Sequence, residues 1–292
     1  MINNASPILI IGMHRSGTAM LSRVLEQAGL FLGCKKEKNN ESTFFIKLND
    51  WIIREVGATW ATPEAMMDFN RLPQNHMDAI LRYLKDQLNS PRAIEYLGLG
   101  QYVKYRSVCN HPGVWGWKDP RTTLTLALWL HLFPQAKVIN IKRNGIDVAA
   151  SLRARSKARL DMSVGQYDKY KIPYAIMGKK GKFVDSARTY SLEGCFSLWE
   201  HYVDCAASFS QTLRDRYLEL TYEAILTSPG EQMERMLRYC ELPIDGYLLD
   251  SMLAGFDSSR CNAYLNDPEL IEFEQSVLNR LALRGYGENV GD

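Results

Sequence analysis

The chain has 292 residues, 46% of them hydrophobic and 23% charged, the balance of a globular protein long enough to bury a substantial core and not that of a disordered or membrane-spanning chain. With 35 basic residues against 33 acidic ones and a formal net charge of +2, it offers no ground for a nucleic-acid partner; any electrostatic function has to lie in local clustering. No apolar run approaches the ~18–20 residues that a bilayer demands, so no membrane span is expected.

Residues 7–12 are a short apolar run closed by glycine, the pattern of a buried parallel strand. A polar loop follows, and then apolar residues at helical spacing over 19–28, stopped by Gly29. Residues 45–108 read as several helices, the clearest over 75–88. A second strand is predicted over 114–117, a helix over 122–133 and a third strand over 137–141, with another helix beginning at 145–152. Residues 217–220 read as a fourth strand, 231–239 as an amphipathic helix, and 267–283 as a closing helix with proline in its first turn. Strands alternating with helices predict an α/β fold with a central parallel sheet flanked by helices. No repeat or flexible linker divides the chain, so a single domain over 1–292 is expected.

Six cysteines without a C-x-x-C pair or an adjacent histidine cluster read as free thiols, and no metal site is expected. Residues 1–7 lack the features of a secretory signal. Together these predict a reducing, cytoplasmic setting. The segment 153–190 stands apart, with ten basic residues against three acidic ones. It reads either as a solvated surface loop or as a basic, lid-like insertion over an anionic ligand.

Gly12-Met13-His14-Arg15-Ser16-Gly17-Thr18 lies between the first strand and the first helix. Backbone N–H groups in such a loop, with the helix N-terminus behind them, suit phosphate oxygens, and Arg15, Ser16 and Thr18 add donors. The glycine spacing is that of a nucleoside-triphosphate P-loop, but Thr18 and Ala19 stand where that loop carries lysine and a hydroxyl residue. The cation has moved inside the loop, to Arg15.

Residues 8–29 resemble the 5'-phosphosulfate loop of sulfotransferases that use 3'-phosphoadenosine 5'-phosphosulfate (PAPS). The His14-Arg15-Ser16-Gly17-Thr18 core is similar to that of bacterial members and of tyrosylprotein sulfotransferases. The resemblance implies a P-loop NTPase-like three-layer fold, PAPS as donor with the bisphosphate PAP as product, and His14 to Ala19 as cofactor contacts.

Further motifs occur in the expected order. Arg143 follows the third strand and Ser151 lies eight residues on, resembling the family's 3'-phosphate motif. Lys118-Asp119-Pro120-Arg121 resembles a stretch whose lysine helps hold the transferring oxygens, although a lysine paired with Asp119 at a helix start is also consistent. Tyr222 resembles a residue placed against adenine, with plain core packing as the other reading; Arg260 offers a further phosphate contact. Counting back from Leu48-Asn49-Asp50, the resemblance implies Glu41 as the base that takes the acceptor proton, with Glu37 and His14 as alternatives. Two asparagines precede Glu41 where the family has aromatics.

The expected activity is transfer of a sulfuryl group from PAPS to a hydroxyl or amine of a saccharide or small metabolite. Arg15, Lys118 and Glu41 would be catalytic, and Ser16, Gly17, Thr18, Ala19, Arg143, Ser151 and Tyr222 would bind cofactor. Phe44, Phe45, Trp51 and Trp60 could line an acceptor pocket or pack the core. The competing functions are a P-loop small-molecule kinase and a non-catalytic nucleotide-binding protein. Oligomeric state is not legible.

Overall fold

The structure is a computed structural model that describes residues 6–244 and 258–286. Four strands, β1 (Ile8–Gly12), β2 (Gly116–Lys118), β3 (Lys137–Lys142) and β4 (Tyr217–Thr221), form one parallel sheet in the order β2-β1-β3-β4. The principal helices are α1 (Thr18–Gln27), α2 (Thr43–Arg54), α3 (Gln74–Asn89), α4 (Thr122–Leu132) and α5 (Gly145–Lys169). They continue with α6 (Lys171–Met177), α7 (Leu192–Ala207), α8 (Tyr222–Thr227), α9 (Pro229–Tyr239) and α10 (Pro268–Ala282). The expected α/β architecture, a central parallel sheet flanked by helices, is the one observed.

The chain divides into two compact units, Met1–Arg143 with Tyr202–Cys261, and Asn144–His201 with Asn262–Asp292. The first contains the whole sheet. Successive side chains of a strand point to opposite faces, and a sheet covered on both faces needs both sets to be apolar. In β1, Leu9 and Ile11 enter one core with Phe44, Phe45, Trp117 and Trp129, while Ile8 and Ile10 enter the other with Leu21, Leu25, Ile225 and Met236. That is why the strand reads as an unbroken apolar run.

One polar residue is built into the first core. Asn49 of α2 is fully buried and satisfied: its amide donates to Asp119 Oδ2 (2.8 Å) and Thr122 Oγ1 (2.9 Å). Its carbonyl oxygen accepts from Thr125 Oγ1 (2.7 Å) and Trp129 Nε1 (2.8 Å). These four bonds fix α2 against the start of α4, and through it the Lys118-Asp119 strand end.

In the second unit, Arg153 pairs with Glu269 at 2.6 Å, Asp147 accepts from the Tyr264 backbone at 2.9 Å, and Arg280 pairs with Glu193 at 2.8 Å. Arg280 also pairs with Glu200. Gly145 packs so tightly that a Cβ there would lie 2.7 Å from the Trp199 ring. The basic segment differs from the loop expected from the sequence: α5 runs 25 residues, to Lys169, and α6 follows at once. Its Ala, Leu, Met, Arg and Lys residues lose little side-chain freedom in a helix, so propensity carries the helix past the point where apolar periodicity fades. Among the described residues no helix is long and apolar enough to cross a membrane, and all six cysteines are free thiols.

Candidate active site

In parallel α/β sheets, ligands bind outside the carboxyl ends of the strands. Here β1 ends at Gly12, β2 at Lys118 and β3 at Lys142, and Ile10 pairs with Lys118 while Gly12 pairs with Ile141. The 12–18 loop, Lys118 and Arg143 therefore emerge at one end of the sheet.

The loop is held open by geometry that only small residues allow. Gly12 has φ 129° and a Cβ there would meet the Ile141 carbonyl oxygen at 2.3 Å; Gly17 has φ 94° and a Cβ there would meet Tyr222 Cδ2 at 2.5 Å. The Gly12 N–H donates to Thr123 Oγ1 at 3.1 Å, tying the loop to α4. Arg15, although not glycine, is left-handed at φ 74°, a conformation of the kind that loops retain at working sites. Gly17 is the N-cap of α1 and supplies no side-chain cap, which leaves the helix N-terminus to an external acceptor. Ser16 is 1% exposed and its Oγ has no hydrogen-bond partner among the described residues. A buried orphan hydroxyl costs about 1–3 kcal/mol, a cost that a phosphate or sulfate oxygen would remove. Thr18 is buried and Ala19 half-buried beside it.

Three guanidinium groups converge on this loop. Arg143 donates through Nη1 to the Arg15 carbonyl oxygen at 3.5 Å and through Nη2 to the Arg260 carbonyl oxygen at 2.9 Å. Its guanidinium lies 4.4 Å over the Tyr222 ring, and that ring in turn abuts Gly17. Burial, and then the charges of Arg143 and Arg260, pull the Arg15 pKa below its ordinary value. Like charges gathered at the end of a sheet repel unless an anion joins them. Arg260, a weak signal in the sequence, belongs to this cluster. Ser151 falls in the second turn of α5, in the second compact unit, and is half-buried. Tyr222 is 7% exposed, so it is at once a core residue and the support on which Arg143 rests.

A second cluster surrounds Lys118. The lysine is 1% exposed, and its Nζ donates to Glu41 Oε1 at 2.9 Å rather than to Asp119. Burial lowers the Lys118 pKa, and Glu41 partly restores it. Glu41 reaches this place on a tight reversal in which the Glu37 N–H donates to the Glu41 carbonyl oxygen at 2.8 Å, with Asn40 left-handed at φ 63°. The two asparagines before Glu41 are thus turn residues. Of the alternative bases, Glu37 is exposed, and His14 is buried with its ring 4.7 Å from Trp60.

Arg121 completes this cluster; the sequence places it in the Lys118-Asp119-Pro120-Arg121 motif without singling it out for a role. Its Nε lies 2.7 Å from Asp50, and its Nη1 lies 3.1 Å from Asp119 and 3.9 Å from Glu41. Burial pulls its pKa down, and the three carboxylates more than offset this, so the net shift is upward. Asp50 moves upward, chiefly through burial, against the pull of Arg121. Tyr202, whose hydroxyl donates to the Trp60 carbonyl oxygen at 3.0 Å, has no sequence signal. Of the four aromatics expected in a pocket or the core, Phe44 and Phe45 are fully buried core, Trp51 packs on Tyr83 at 4.2 Å, and half-buried Trp60 faces His14. Among the described residues no group of three or more His, Cys, Asp or Glu side chains is placed to hold a metal ion.

The comparisons with known proteins bear on this arrangement. A curated Aquifex aeolicus (strain VF5) relative, an uncharacterised protein, is 26% identical over 245 residues. The match covers 84% of this chain, which spans about a quarter (26%) of that relative's length. Among solved structures, the sulfotransferase domain of the curacin biosynthetic pathway is 14% identical with a TM-score of 0.49, covering 94% of this chain and 97% of that one. The sulfotransferase domain of the Synechococcus PCC 7002 olefin synthase is 19% identical with a TM-score of 0.46, covering 94% and 90%. These likenesses are distant, whereas the match to the family profile takes in residues 7–246, from the first strand past α9 and with every residue of the two clusters except Arg260. On that match, the chain belongs to the sulfotransferase family.

Proposed function

We propose that this sulfotransferase takes its sulfuryl group from PAPS and delivers it to a hydroxyl or amine of a saccharide or small-metabolite acceptor. The observation that carries the reading is the adjacency of two groups of opposite charge at one strand end: buried Lys118 in direct contact with Glu41, beside a loop shaped for an anion. PAPS supplies an activated sulfuryl group whose leaving group is a phosphate.

The residues fit such a donor. Ser16 offers an unpartnered buried hydroxyl, and the 12–18 loop offers backbone donors at an uncapped helix N-terminus. Arg15 stands beside them to balance charge on the 5' side, and Lys118 offsets charge developing on the transferring oxygens. Arg143, carried by Tyr222 and joined by Arg260, offers cations for the 3'-phosphate. Glu41 accepts the proton released when the acceptor oxygen or nitrogen bonds to sulfur, and the electron pair of the broken S–O bond stays on the phosphate. Catalysis by this set is positioning and charge stabilisation.

Calorimetry with PAP, AMP and ATP, without magnesium, tests the donor. Binding of PAP at least about tenfold tighter than of AMP, a gap of about 1.4 kcal/mol, is expected from a dedicated 3'-phosphate site. Equal affinities would remove PAPS from the reading, and a preference for ATP that appears with magnesium would favour a kinase. Sulfate transfer from labelled PAPS to a panel of saccharides and small metabolites then tests the acceptor class.

A further inference from the structure

The second half of α5 and all of α6 are helix without a core. The buried residues of α5 lie between Gly145 and Ser156, and α6 has none. Most helices in proteins draw their stability from one packed face, so a helical stretch that buries nothing has an unsatisfied surface. Among the side chains that it presents to water are large apolar ones: Met162 is 69% exposed, Ile172 76%, Ile176 80% and Met177 73%. Ile172 and Ile176, four residues apart, share one face of α6. Isolated exposed apolar residues need no explanation, but a run of this size within one short segment marks a contact surface.

From the end of α5 onward the segment is strongly basic. Residues 169–184 include five lysines (Lys169, Lys171, Lys179, Lys180 and Lys182) and no carboxylate. Two exposed carboxylates, Asp161 and Asp168, precede this run in α5; beyond it, Asp185 is engaged by Arg159 at 2.6 Å and Glu269 by Arg153 at 2.6 Å. Two of the lysines lean over neighbouring rings, Lys179 over Phe183 at 4.4 Å and Lys169 over Tyr170 at 5.4 Å, so cation and apolar surface are interleaved.

We propose that this face of the second compact unit docks on an anionic lipid surface. A lipid interface takes both chemistries at once: isoleucine and methionine enter the boundary of the acyl chains, while lysines reach the headgroups on their flexible stems. A nucleic acid or an acidic polysaccharide would engage the lysines and leave Ile172, Ile176 and Met177 in water. A second copy of the chain, meeting the same face, would set five lysines against five, which opposes association.

Sedimentation of the full chain with phosphatidylcholine vesicles, with and without phosphatidylglycerol, tests the proposal. Binding at least about tenfold stronger to the anionic vesicles, and weakened by added salt, is expected. The double variant Lys171→Glu/Lys180→Glu should lose most of this binding. Ile172→Ser/Ile176→Ser, which keeps the charge, should lose about tenfold or more. All four positions lie outside the core, so both variants should keep the parent's melting temperature; that measurement separates lost docking from lost folding. Equal binding to the two vesicle types, or Ile172→Ser/Ile176→Ser binding like the parent, would overturn the proposal. So would a dimer in ultracentrifugation that Ile176→Ser disperses, which would assign the face to a second copy.

Discussion

The ammonium of Lys118 and the carboxylate of Glu41 meet 2.9 Å apart, with the lysine fully buried and the glutamate nearly so. Forming such a pair gains little net stability because both charges give up water, but removing one partner strands the other and costs about 3–5 kcal/mol. Lys118→Met and Glu41→Gln should therefore each destabilise the fold, while the double variant should cost clearly less than their sum in a urea double-mutant cycle. The chemistry separates the two roles. Glu41→Gln should lower turnover by about a hundredfold or more; a near-normal rate would move the base elsewhere, His14 being the buried alternative. Arg15 differs from both in being an exposed residue whose guanidinium is only partly desolvated. Arg15→Ala should cut turnover at least about a hundredfold with the melting temperature nearly unchanged, and a near-normal rate would sink its assignment to the transferring group.

At the scale of elements, the loop between β1 and α1 rests on two glycines whose neighbours differ in kind. A methyl group at position 12 meets the backbone oxygen of Ile141 in β3, which cannot yield without breaking the sheet; at position 17 it meets the Tyr222 ring, which can turn. Gly12→Ala should destabilise by more than about 2 kcal/mol, and Gly17→Ala by less. Gly17→Ala should nonetheless weaken PAP binding, because displacing Tyr222 displaces the Arg143 guanidinium 4.4 Å above it. Urea melts read the first contrast and calorimetry the second. Elements of this kind are legible wherever one local pattern suffices. The apolar run of β1 and the spacing of α1 place both within a residue of where they lie. Expected over 114–117, β2 is shifted to Gly116–Lys118, because the apolar pattern stops at Trp117 while the ladder continues to a lysine buried at its end. The far half of α5 carries no apolar periodicity, so its helix is invisible in the sequence. Within the site, the phosphate loop and Arg143 have local signatures. The Glu41–Lys118 contact spans 77 residues of sequence and the Tyr202–Trp60 bond 142, and no local pattern encodes either. Asn49 does carry a signal, an amide beside the apolar positions Leu48 and Ile52 of one helix, but its four partners exist only after folding.

For the molecule as a whole, a net charge of +2 conceals segregation: three guanidinium groups gather at the phosphate loop, and five lysines line one short stretch of the second unit. Its pH response is set instead by buried neutral groups. Burial pushes the thiols of Cys195 and Cys205 up to about 11 and that of Cys240 up to about 12. Burial also raises the hydroxyls of Tyr96 and Tyr202. In the unfolded chain a thiol loses its proton near pH ~8.5, so above that pH the unfolded state holds fewer protons than the folded one. Stability then falls as pH rises, having been fully present below the unfolded pKa. Lys118 acts in the opposite sense: its depressed pKa penalises the charged form, and the penalty fades in alkali. Three thiols and the buried phenols outweigh one lysine. The melting temperature should therefore be level up to about pH 8.5 and decline from there to about pH 11–12, the window set by the thiol shifts. Differential scanning calorimetry across that range is the check. A curve that rose with pH would mean that relief of the buried Lys118 charge outweighs the thiols and phenols, and a level one would mean that water reaches the three thiols in the fold as freely as in the unfolded chain.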